Sequence, residues 1–348
     1  MSFVFEGLII TEFNTENNNI KLAVLGGNMK KAFRRLVVIF MVIISIFALV
    51  IFVSFINHKL KLSKEDNRFV ANGQIVSVNG HHMHIYTEGT GEETLVFMSG
   101  GGTSSPVFDF KSLYSLLSDK YKIVVVEKAG YGFSEVTSSD RDIDTILSET
   151  REALLKSGVK GPYTLFPHSM SGIEALYWAQ TYPNEVTAIV GLDMATPPAY
   201  EDYQIPMTLV RLGGLAANTG LTRLIPNISE SDAIKYGTLT DEEKELSKVV
   251  FYRRTSTKNM VNEIENIKSN AQKVGESGIP NVPMLLFSSN GQETGFDEET
   301  WMNIQNDYIN KVKNGKLIKV DAAHYIHNIK YRQIAEESKE FLDGLSDY

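Results

Sequence analysis

The chain has 348 residues, enough for one large domain or two small ones. With 22% charged and 43% hydrophobic residues, its composition is that of a globular protein rather than a disordered one. The net charge of -8 argues against a nucleic-acid partner, because binding to phosphates requires a basic face. The lack of cysteine excludes disulfides, thiolate metal sites and a cysteine nucleophile.

An uncharged apolar run occupies residues 36–56. A helix of this length spans about 31 Å, which matches the hydrocarbon core of a bilayer. We therefore predict a transmembrane helix over residues 36–56, followed by a linker over residues 57–69. Four basic residues precede the run and three follow it, so the positive-inside rule favours a single-pass protein of the cell membrane with its main domain outside the cytoplasm. A cleaved signal peptide is the alternative, but its apolar region is ordinarily shorter and ends at a small-residue cleavage site.

The N-terminal segment, residues 1–35, begins with 28 Asn-rich and weakly patterned residues. Met29 is followed by Lys30 and Lys31, which would make an ordinary basic start for a membrane-targeted chain. We therefore hypothesise that translation starts at Met29 and that residues 1–28 do not belong to the native protein. A native peptide that begins before Met29, found by mass spectrometry, would contradict this hypothesis.

From residue 70 onwards, strand-like runs alternate with helical stretches. Residues 74–78 and 82–87 flank Asn79-Gly80, a sequence typical of a two-residue hairpin turn. Further apolar runs typical of buried parallel strands cover residues 94–98, 122–127, 163–167, 186–192, 283–287 and 316–320. Helices are predicted over residues 140–156, 170–181 and 333–345. This alternation predicts an α/β fold, in which helices cover both faces of a mostly parallel sheet.

Residues 197–278 break this alternation, because they show a helical pattern without a clear strand. They lie between two predicted strands, so we predict a helical lid inserted over the carboxyl edge of the sheet, where ligands bind in open α/β sheets. The α/β core then comprises residues 70–196 and 279–348. The apolar stretch 207–215 of the lid favours a moderately hydrophobic acyl or alcohol group in the substrate.

The most informative stretch is residues 163–172, in which a predicted strand leads directly into Ser169 and a helix follows. A nucleophile on such a tight turn requires small residues two positions away on either side, as in G-x-S-x-G. Ser171 meets this requirement, whereas Pro167 departs from it. The turn would expose the serine hydroxyl and place the Met170 N–H beside a developing oxyanion. The alternative is that Ser169 is only a helix N-cap.

This turn resembles the nucleophile turn of the α/β-hydrolase superfamily, and residues 70–348 are similar to its lid-bearing, esterase-like members. Residues 98–105 match the position of the family's oxyanion loop, with Ser99 where a histidine is common. The resemblance implies that Gly101 supplies the second oxyanion N–H, with Gly102 close behind, because glycine lets a carbonyl oxygen approach the backbone. Residues 127–134 resemble a D-x-x-G-x-G-x-S turn of the family, which implies a structural role for Glu127.

His324, in the stretch that follows the last predicted strand, occupies the position of the family's catalytic histidine. The unperturbed pKa of histidine lies near neutrality, so it can take the proton of the serine and return it to the leaving group. His327 is three residues further on, and we expect it to face the following helix. His81, His82 and His84 lack further ligands at metal-binding spacing, so we predict no metal site.

The third member of the expected triad is less clear. The family order is serine, then aspartate or glutamate, then histidine. The acid usually follows the last strand but one, where this chain has Gln292 beside Glu293. In some relatives it follows the strand after the nucleophile helix, which here places Asp193 at the end of residues 186–192. We favour Asp193, with Glu293 as the alternative, and the remaining possibilities are Asp297, Asp321 or no acid at all.

Together these motifs predict a serine hydrolase that cleaves an ester or other acyl bond of a small molecule through an acyl-enzyme and needs no cofactor. A serine nucleophile speaks against the haloalkane dehalogenase and epoxide hydrolase branches of the family, whose covalent step uses a carboxylate. Two alternatives remain. One is a membrane-tethered binding domain that keeps the fold but has lost catalysis, and the other is a cofactor-free peroxidase or C–C hydrolase.

Overall fold

The structure, a computed structural model, describes the backbone of residues 18–346 and the side chains of residues 30–345. Residues 1–17 of the segment suspected to precede the true start therefore lie outside the described residues. The chain divides into two units, residues 1–54 and residues 55–348. In the first unit the described residues form one helix, α1 (Asn18–Glu65), which continues into the second. Its apolar side chains are exposed, and its length and composition suit a membrane span.

The second unit contains one sheet of eight strands, which confirms the predicted α/β-hydrolase fold. The strands are β1 (Gln74–Val78), β2 (His81–Glu88), β3 (Thr94–Met98), β4 (Lys122–Glu127), β5 (Tyr163–Pro167), β6 (Val186–Leu192), β7 (Met284–Ser288) and β8 (Gly315–Lys319). The predicted hairpin is present, because Val78 pairs with His81 across a turn in which Asn79 and Gly80 both have positive φ. All pairings beyond β4 are parallel.

Helices cover both faces of this sheet. They are α2 (Pro106–Asp109), α3 (Lys111–Tyr114), α4 (Ile143–Lys156), α5 (Ser171–Thr181), α6 (Met207–Asn218), α7 (Asp232–Tyr236), α8 (Asp241–Arg254), α9 (Lys258–Glu276), α10 (Glu298–Ile309), α11 (Ile326–Ile329) and α12 (Tyr331–Ser346). Alternate strand residues face opposite layers. In β3, Val96 packs with α4 and α5, whereas Leu95 and Phe97 pack with α3 and α12. Each face of the sheet therefore has its own apolar core.

The strand order is β1-β2-β4-β3-β5-β6-β7-β8, and it contains one reversal that matters for function. From β3 the chain proceeds to β4 on one side, whereas β5 to β8 are added on the other side, so β3 and β5 are neighbours. In open α/β sheets, the crevice beyond the carboxyl ends of such strands is where ligands bind. The glycine-rich loop follows β3 and Ser169 follows β5, so both predicted motifs lie at this crevice.

Residues 197–278, predicted as a helical lid, contain a 3-10 turn at Pro197–Tyr200 and helices α6 to α9, and no strand. Helix α9 fixes this segment to the core. Glu263 pairs with the buried Lys128 and accepts a hydrogen bond from the Tyr131 hydroxyl at 2.9 Å. The Asn259 side chain accepts from the backbone N–H of Thr137 at 2.9 Å. The segment is therefore held by buried polar contacts as well as by apolar packing.

Residues 57–69 were expected to form a linker, but the structure shows a helical stem. Helix α1 continues to Glu65 and a 3-10 turn follows at Asp66–Arg68. The Arg223 guanidinium donates to both Glu65 carboxylate oxygens at 3.0 and 2.8 Å, and Arg253 donates to Asp66 at 2.8 Å. The stem persists as a helix because nothing in it breaks a helix and because two arginines bind its end.

Candidate active site

Ser169 lies on a sharp turn between β5 and α5. Its φ of 54° falls in the left-handed region that non-glycine residues rarely adopt, and such strain is often found at functional sites. A Cβ on Gly100 would approach the Ser169 Cβ to 2.7 Å, so the preceding loop must be glycine at that point. Pro167 fits because it is the last residue of β5, opposite Met98. Its missing N–H is tolerated because the pairing of β5 with β6 ends at Leu165, while the bond to β3 is continued by the His168 N–H, which donates to the Met98 carbonyl oxygen at 3.0 Å.

Ser171 replaces the second glycine of the expected motif, and its hydroxyl stabilises the turn. The Ser171 Oγ donates to the Met98 carbonyl oxygen at 2.7 Å, which ties the turn to the end of β3. In the usual motif, the second glycine lets the neighbouring backbone come close. Here Gly172 has that role, because a Cβ at this position would lie 2.2 Å from the Ala195 carbonyl oxygen. The sequence pattern is therefore displaced by one position rather than lost.

The structure brings Ser169, His324 and Asp193 into one hydrogen-bonded chain. The His324 Nε2 lies 2.7 Å from the Ser169 Oγ, and the His324 Nδ1 lies 2.6 Å from the Asp193 Oδ2. The three residues follow β5, β8 and β6, whose carboxyl ends meet at the same edge of the sheet. Asp193 is fully buried and His324 nearly so, which lowers the local dielectric and strengthens their interaction.

Asp193 is held on both carboxylate oxygens. Its Oδ1 accepts from the Ser289 backbone N–H and from the Trp301 indole N–H, each at 2.7 Å, while Oδ2 faces His324. Sequence reasoning did not identify Ser289, which directly follows β7, or Trp301, which lies in α10. The signal that was available is general: a buried tryptophan usually donates its N–H to an acceptor.

The alternative acids do not contact the His324 ring in the described structure. Glu293 is exposed, and the nearby link to His324 is made by backbone, from the His324 N–H to the Gln292 carbonyl oxygen at 3.1 Å. Asp297 caps α10 through the Thr300 N–H at 2.8 Å, and Asp321 is exposed. Among the four candidates, only Asp193 bonds the imidazole of His324.

Gly101 and Met170, the expected oxyanion donors, line the same cavity as Ser169 and His324. Met170 caps the N-terminus of α5, where backbone N–H groups lack partners within the helix and the helix dipole is positive. A Cβ on Gly101 would lie 2.8 Å from the end of the Met170 side chain. Gly102 has φ of 78° and lines a neighbouring cavity instead.

A buried polar cluster lies beneath the turn and consists of His168, Asp109, His327 and Asn328. His168 Nε2 lies 3.2 Å from the His324 carbonyl oxygen. His327 and Asn328 bind the two oxygens of Asp109 at 2.8 and 3.0 Å. Burial, reinforced by the nearby His324 and His327, holds the pKa of His168 well below its usual value. His168 is therefore neutral at pH 7.

His327, expected only to face the following helix, thus binds Asp109 of α2. Ligand atoms of Asp109, His168 and His327 lie within 4.8 Å of one another, close enough to share an ion. Both oxygens of Asp109, however, already accept hydrogen bonds from protein groups. The cluster is best described as a hydrogen-bond network that supports the backbone at Ser169 and His324.

The Glu127 turn has the structural role that its motif implied. The buried Glu127 carboxylate accepts hydrogen bonds from the Phe133 and Val107 N–H groups at 2.6 and 3.3 Å and contacts His84 at 2.9 Å. A Cβ on Gly132 would lie only 1.9 Å from this carboxylate. The turn is therefore wrapped around a buried acid, and it forms the wall beside the glycine-rich loop.

Ser169 and His324 open into a cavity of about 360 Å³. The side of the cavity formed by residues 199–267 is mostly apolar and includes Tyr200, Tyr203, Ile205, Val210, Ile264 and Ile267. The predicted lid therefore supplies an apolar wall of the cavity that contains the hydroxyl and the imidazole. Such a cavity, apolar with a few polar groups at one end, is typical of a small-molecule site.

Three features define an α/β protein of the hydrolase class. They are the reversal of strand order between β3 and β5, the strained Ser169, and the histidine and aspartate that are hydrogen-bonded in line with it. The chain belongs to the α/β-hydrolase fold family, whose model matches residues 93–328, more than half of the sequence. Membership of this family supports the conclusion that the chain is a hydrolase.

Similar proteins cover from a third to nine tenths of the chain. YbdG of Bacillus subtilis (strain 168), itself uncharacterized, is 37% identical over 325 residues, which cover 90% of this chain and 99% of that protein. Serine hydrolase BPHL of Mus musculus is 29% identical over 117 residues, which cover 33% of this chain and 40% of that protein.

Solved structures agree in fold. An epoxide hydrolase from Bacillus megaterium superposes with a TM-score of 0.60 at 17% identity, covering 78% of this chain and 100% of that one. An enol-lactonase from Burkholderia xenovorans superposes with a TM-score of 0.58 at 14% identity, also covering 78% of this chain and 100% of that one. At these identities the likeness concerns the fold alone.

Proposed function

We propose that the chain is a membrane-anchored serine hydrolase that cleaves an ester or other acyl bond through an acyl-enzyme. The observation that carries this proposal is the position of the His324 ring, with Nε2 2.7 Å from the Ser169 Oγ and Nδ1 2.6 Å from the Asp193 Oδ2. A base within hydrogen-bond reach of the hydroxyl, itself oriented by a buried carboxylate, is the arrangement that activates a serine nucleophile.

In the proposed reaction, the Ser169 Oγ attacks the carbonyl carbon while His324 Nε2 takes its proton. The Nδ1–H of His324 donates to Asp193, which fixes the tautomer and stabilises the imidazolium. The Gly101 and Met170 N–H groups stabilise the oxyanion. The imidazolium then gives its proton to the leaving group as the acyl bond breaks. Water repeats the sequence, releasing the acid and restoring Ser169.

A serine at the turn separates this proposal from relatives that use a carboxylate at the same place. Asp109 does not line the cavity that contains Ser169, and both of its carboxylate oxygens are bound by His327 and Asn328. Glu293 lines that cavity but makes no bond to the imidazole of His324. The nucleophile that reaches the cavity beside His324 is therefore the Ser169 hydroxyl.

A fluorophosphonate probe tests the proposal, because it modifies only an activated serine. We expect covalent labelling of the full-length protein at Ser169, no labelling of Ser169→Ala, and slow labelling of His324→Gln. Ser138→Ala is the matched control, since Ser138 is exposed and lies outside the cavity. Absence of labelling in the folded wild type would instead favour a binding domain that has lost catalysis.

Membrane anchorage and an extracytoplasmic active site form the second half of the proposal. The chain lacks cysteine, so single introduced cysteines report without background. Lys30 and Lys160 are both exposed, and they lie on opposite sides of the apolar run in sequence. In intact cells, we expect a membrane-impermeant maleimide to label Lys160→Cys but not Lys30→Cys. The reverse pattern would contradict the orientation, and labelled protein in the soluble fraction would contradict the anchor.

A further inference from the structure

A second cavity, of about 250 Å³, adjoins the one that contains Ser169. Both cavities include Glu293 and Tyr325 in their walls, so they lie on either side of these two residues. We call the second cavity the serine-rich limb and the first the apolar limb. Side chains that line the serine-rich limb include Thr103, Ser105, Ser229, Ser247, Asp232 and Glu293. Hydroxyl and carboxylate side chains are therefore more numerous along the serine-rich limb than along the apolar limb.

The serine-rich limb is acidic. Three carboxylates line it, and none of its lining residues is basic. Burial raises the pKa of Tyr325 well above its usual value, and the charges of Asp109, Glu293 and Asp232 raise it further. The potential around this phenol is therefore negative, which disfavours an anion and favours groups that donate hydrogen bonds.

The limb also contains a buried hydroxyl that lacks a protein partner. The Ser105 Oγ is buried without a hydrogen bond, although Ser105 stands at the N-cap of α2, where a serine side chain commonly bonds the helix backbone. The Thr103 hydroxyl, also buried, faces Tyr325. A buried polar group without a partner costs free energy, and a hydroxylated ligand would satisfy it.

The position of His324 decides which part of a substrate enters the serine-rich limb. In the proposed reaction the leaving group receives its proton from His324, so it must lie on the histidine side of the scissile bond. Tyr325 directly follows His324 and forms the wall between the two limbs. Ser169 and His324 themselves line the apolar limb, and the serine-rich limb begins behind the shared wall of Glu293 and Tyr325. We therefore assign the leaving group to the serine-rich limb, next to the histidine side of this wall, and the acyl group to the apolar limb beside Ile264 and Ile267.

We propose that the serine-rich limb binds the alcohol part of the substrate, and that the substrate is an ester of an apolar acyl group with an uncharged polyol. This inference rests on the proposed serine hydrolase function. The hydroxyls of a polyol can donate to Asp232 and Glu293 and exchange hydrogen bonds with Ser105 and Thr103. An anionic alcohol would instead face three carboxylates, and a purely apolar alcohol would leave buried hydroxyls unpaired.

The test compares hexanoate esters of glycerol, 1-propanol and glyceric acid with the full-length protein. We expect kcat/KM to be about tenfold higher for glyceryl hexanoate than for propyl hexanoate, and lowest for the glycerate ester, because a site built to bind hydroxyls discriminates against analogues that lack them. Hexyl glycerate places the hydroxyls on the acyl side. We expect it to be a poor substrate, and a preference for it over glyceryl hexanoate would reverse the limbs and overturn the assignment.

Two variants test whether the preference for the glyceryl ester arises in the serine-rich limb. Ser105→Ala should reduce the glyceryl-to-propyl ratio of kcat/KM about fivefold. Asp232→Asn should raise the glycerate-to-propyl ratio by a similar factor. Because both esters of a ratio are measured on the same variant, a general loss of activity cancels. Ser138→Ala, outside both cavities, should keep both ratios.

Suppose that Ser169 reacts with the fluorophosphonate and that propyl hexanoate is hydrolysed. Equal kcat/KM for glyceryl and propyl hexanoate, or ratios that neither variant changes, would then overturn this inference and leave the proposed function intact. If Ser169 does not react and no ester is hydrolysed, the proposed function fails, and this inference fails with it.

Discussion

Trp301 donates its indole N–H to Oδ1 of Asp193 at 2.7 Å, and this bond determines how the carboxylate meets His324. With the Ser289 N–H also bound to Oδ1, the other oxygen, Oδ2, is left to the imidazole. The two donors prevent the carboxylate from rotating and stabilise its charge in a fully buried place. Trp301 is therefore a positioning residue that acts through Asp193.

Trp301→Phe should lower kcat about tenfold with little change in KM, because removal of one donor to a buried charge costs about 1.4 kcal/mol or more. Trp178→Phe is the matched control, since it removes the other tryptophan of the chain and an equivalent bond, to Glu185 at 2.9 Å. It should lower stability but leave kcat unchanged. Equal losses of kcat in both variants would show that Trp301 acts only on the fold.

Asp193→Asn and Glu293→Gln distinguish the two acids that the sequence left open. Asp193→Asn should reduce kcat by about 10⁴-fold, the size of effect seen when a triad aspartate of another serine hydrolase is replaced by its amide, because the wrong histidine tautomer is then favoured. Glu293→Gln should change kcat by about threefold or less, since Glu293 makes no bond to the ring. The measurement is kcat for a single ester. Near wild-type kcat in Asp193→Asn would refute the assignment.

The sequence predicted the sheet closely because its strands are short apolar runs bounded by glycine, proline and polar residues. The predicted and observed bounds agree for β3 to β6, and those of β7 and β8 differ by one residue. Ser169 and His324 were instead identified from the turn motif and from the resemblance to the α/β-hydrolase family, and both follow strands whose carboxyl ends meet at one edge of the sheet.

The sequence favoured Asp193 without excluding the other acids, and it did not predict the helical stem, because both features depend on contacts between distant parts of the chain. The choice of Asp193 depends on Trp301, which is 108 residues away, and both β6 and β7 end near His324. The helical stem depends on Arg223, which binds Glu65 across 158 residues. The local sequence pattern predicts the helices and strands, whereas the partners of Asp193 and Glu65 depend on tertiary packing.

His168 should make the fold sensitive to acid. Because burial holds its pKa well below 6.5 in the folded chain, the unfolded chain binds the proton first as the pH falls. Protonation therefore favours unfolding, and stability contributed by the neutral ring is lost from about pH 6.5 downwards, at up to about 1.4 kcal/mol per pH unit. Above pH 6.5 this contribution is fully present.

His168→Phe keeps a ring at this position but removes the titrating group, so its stability should fall less steeply than that of the wild type between pH 6.5 and 5. Urea unfolding of the second unit, residues 55–348, at several pH values measures both slopes. His82→Gln, at a surface ring, is the control and should keep the wild-type slope. Parallel curves for wild type and His168→Phe would contradict the prediction.

Gly132→Ala should be among the most damaging single changes to the fold. Its new Cβ would lie 1.9 Å from the buried Glu127 carboxylate, and its φ of 48° disfavours alanine. The carboxylate cannot retreat without losing the hydrogen bonds that it accepts from Phe133 and Val107. We expect a loss of more than about 3 kcal/mol in unfolding free energy.

Gly213→Ala provides the opposite case with the same chemical change. Gly213 lies inside α6, and a Cβ there would meet nothing within 4 Å. Because alanine favours a helix over glycine by about 1 kcal/mol, this variant should be slightly more stable than the wild type. Thermal or urea unfolding of the two variants side by side gives the comparison. If Gly132→Ala matched Gly213→Ala in stability, the Glu127 turn would not be the rigid, tightly packed element that its geometry indicates.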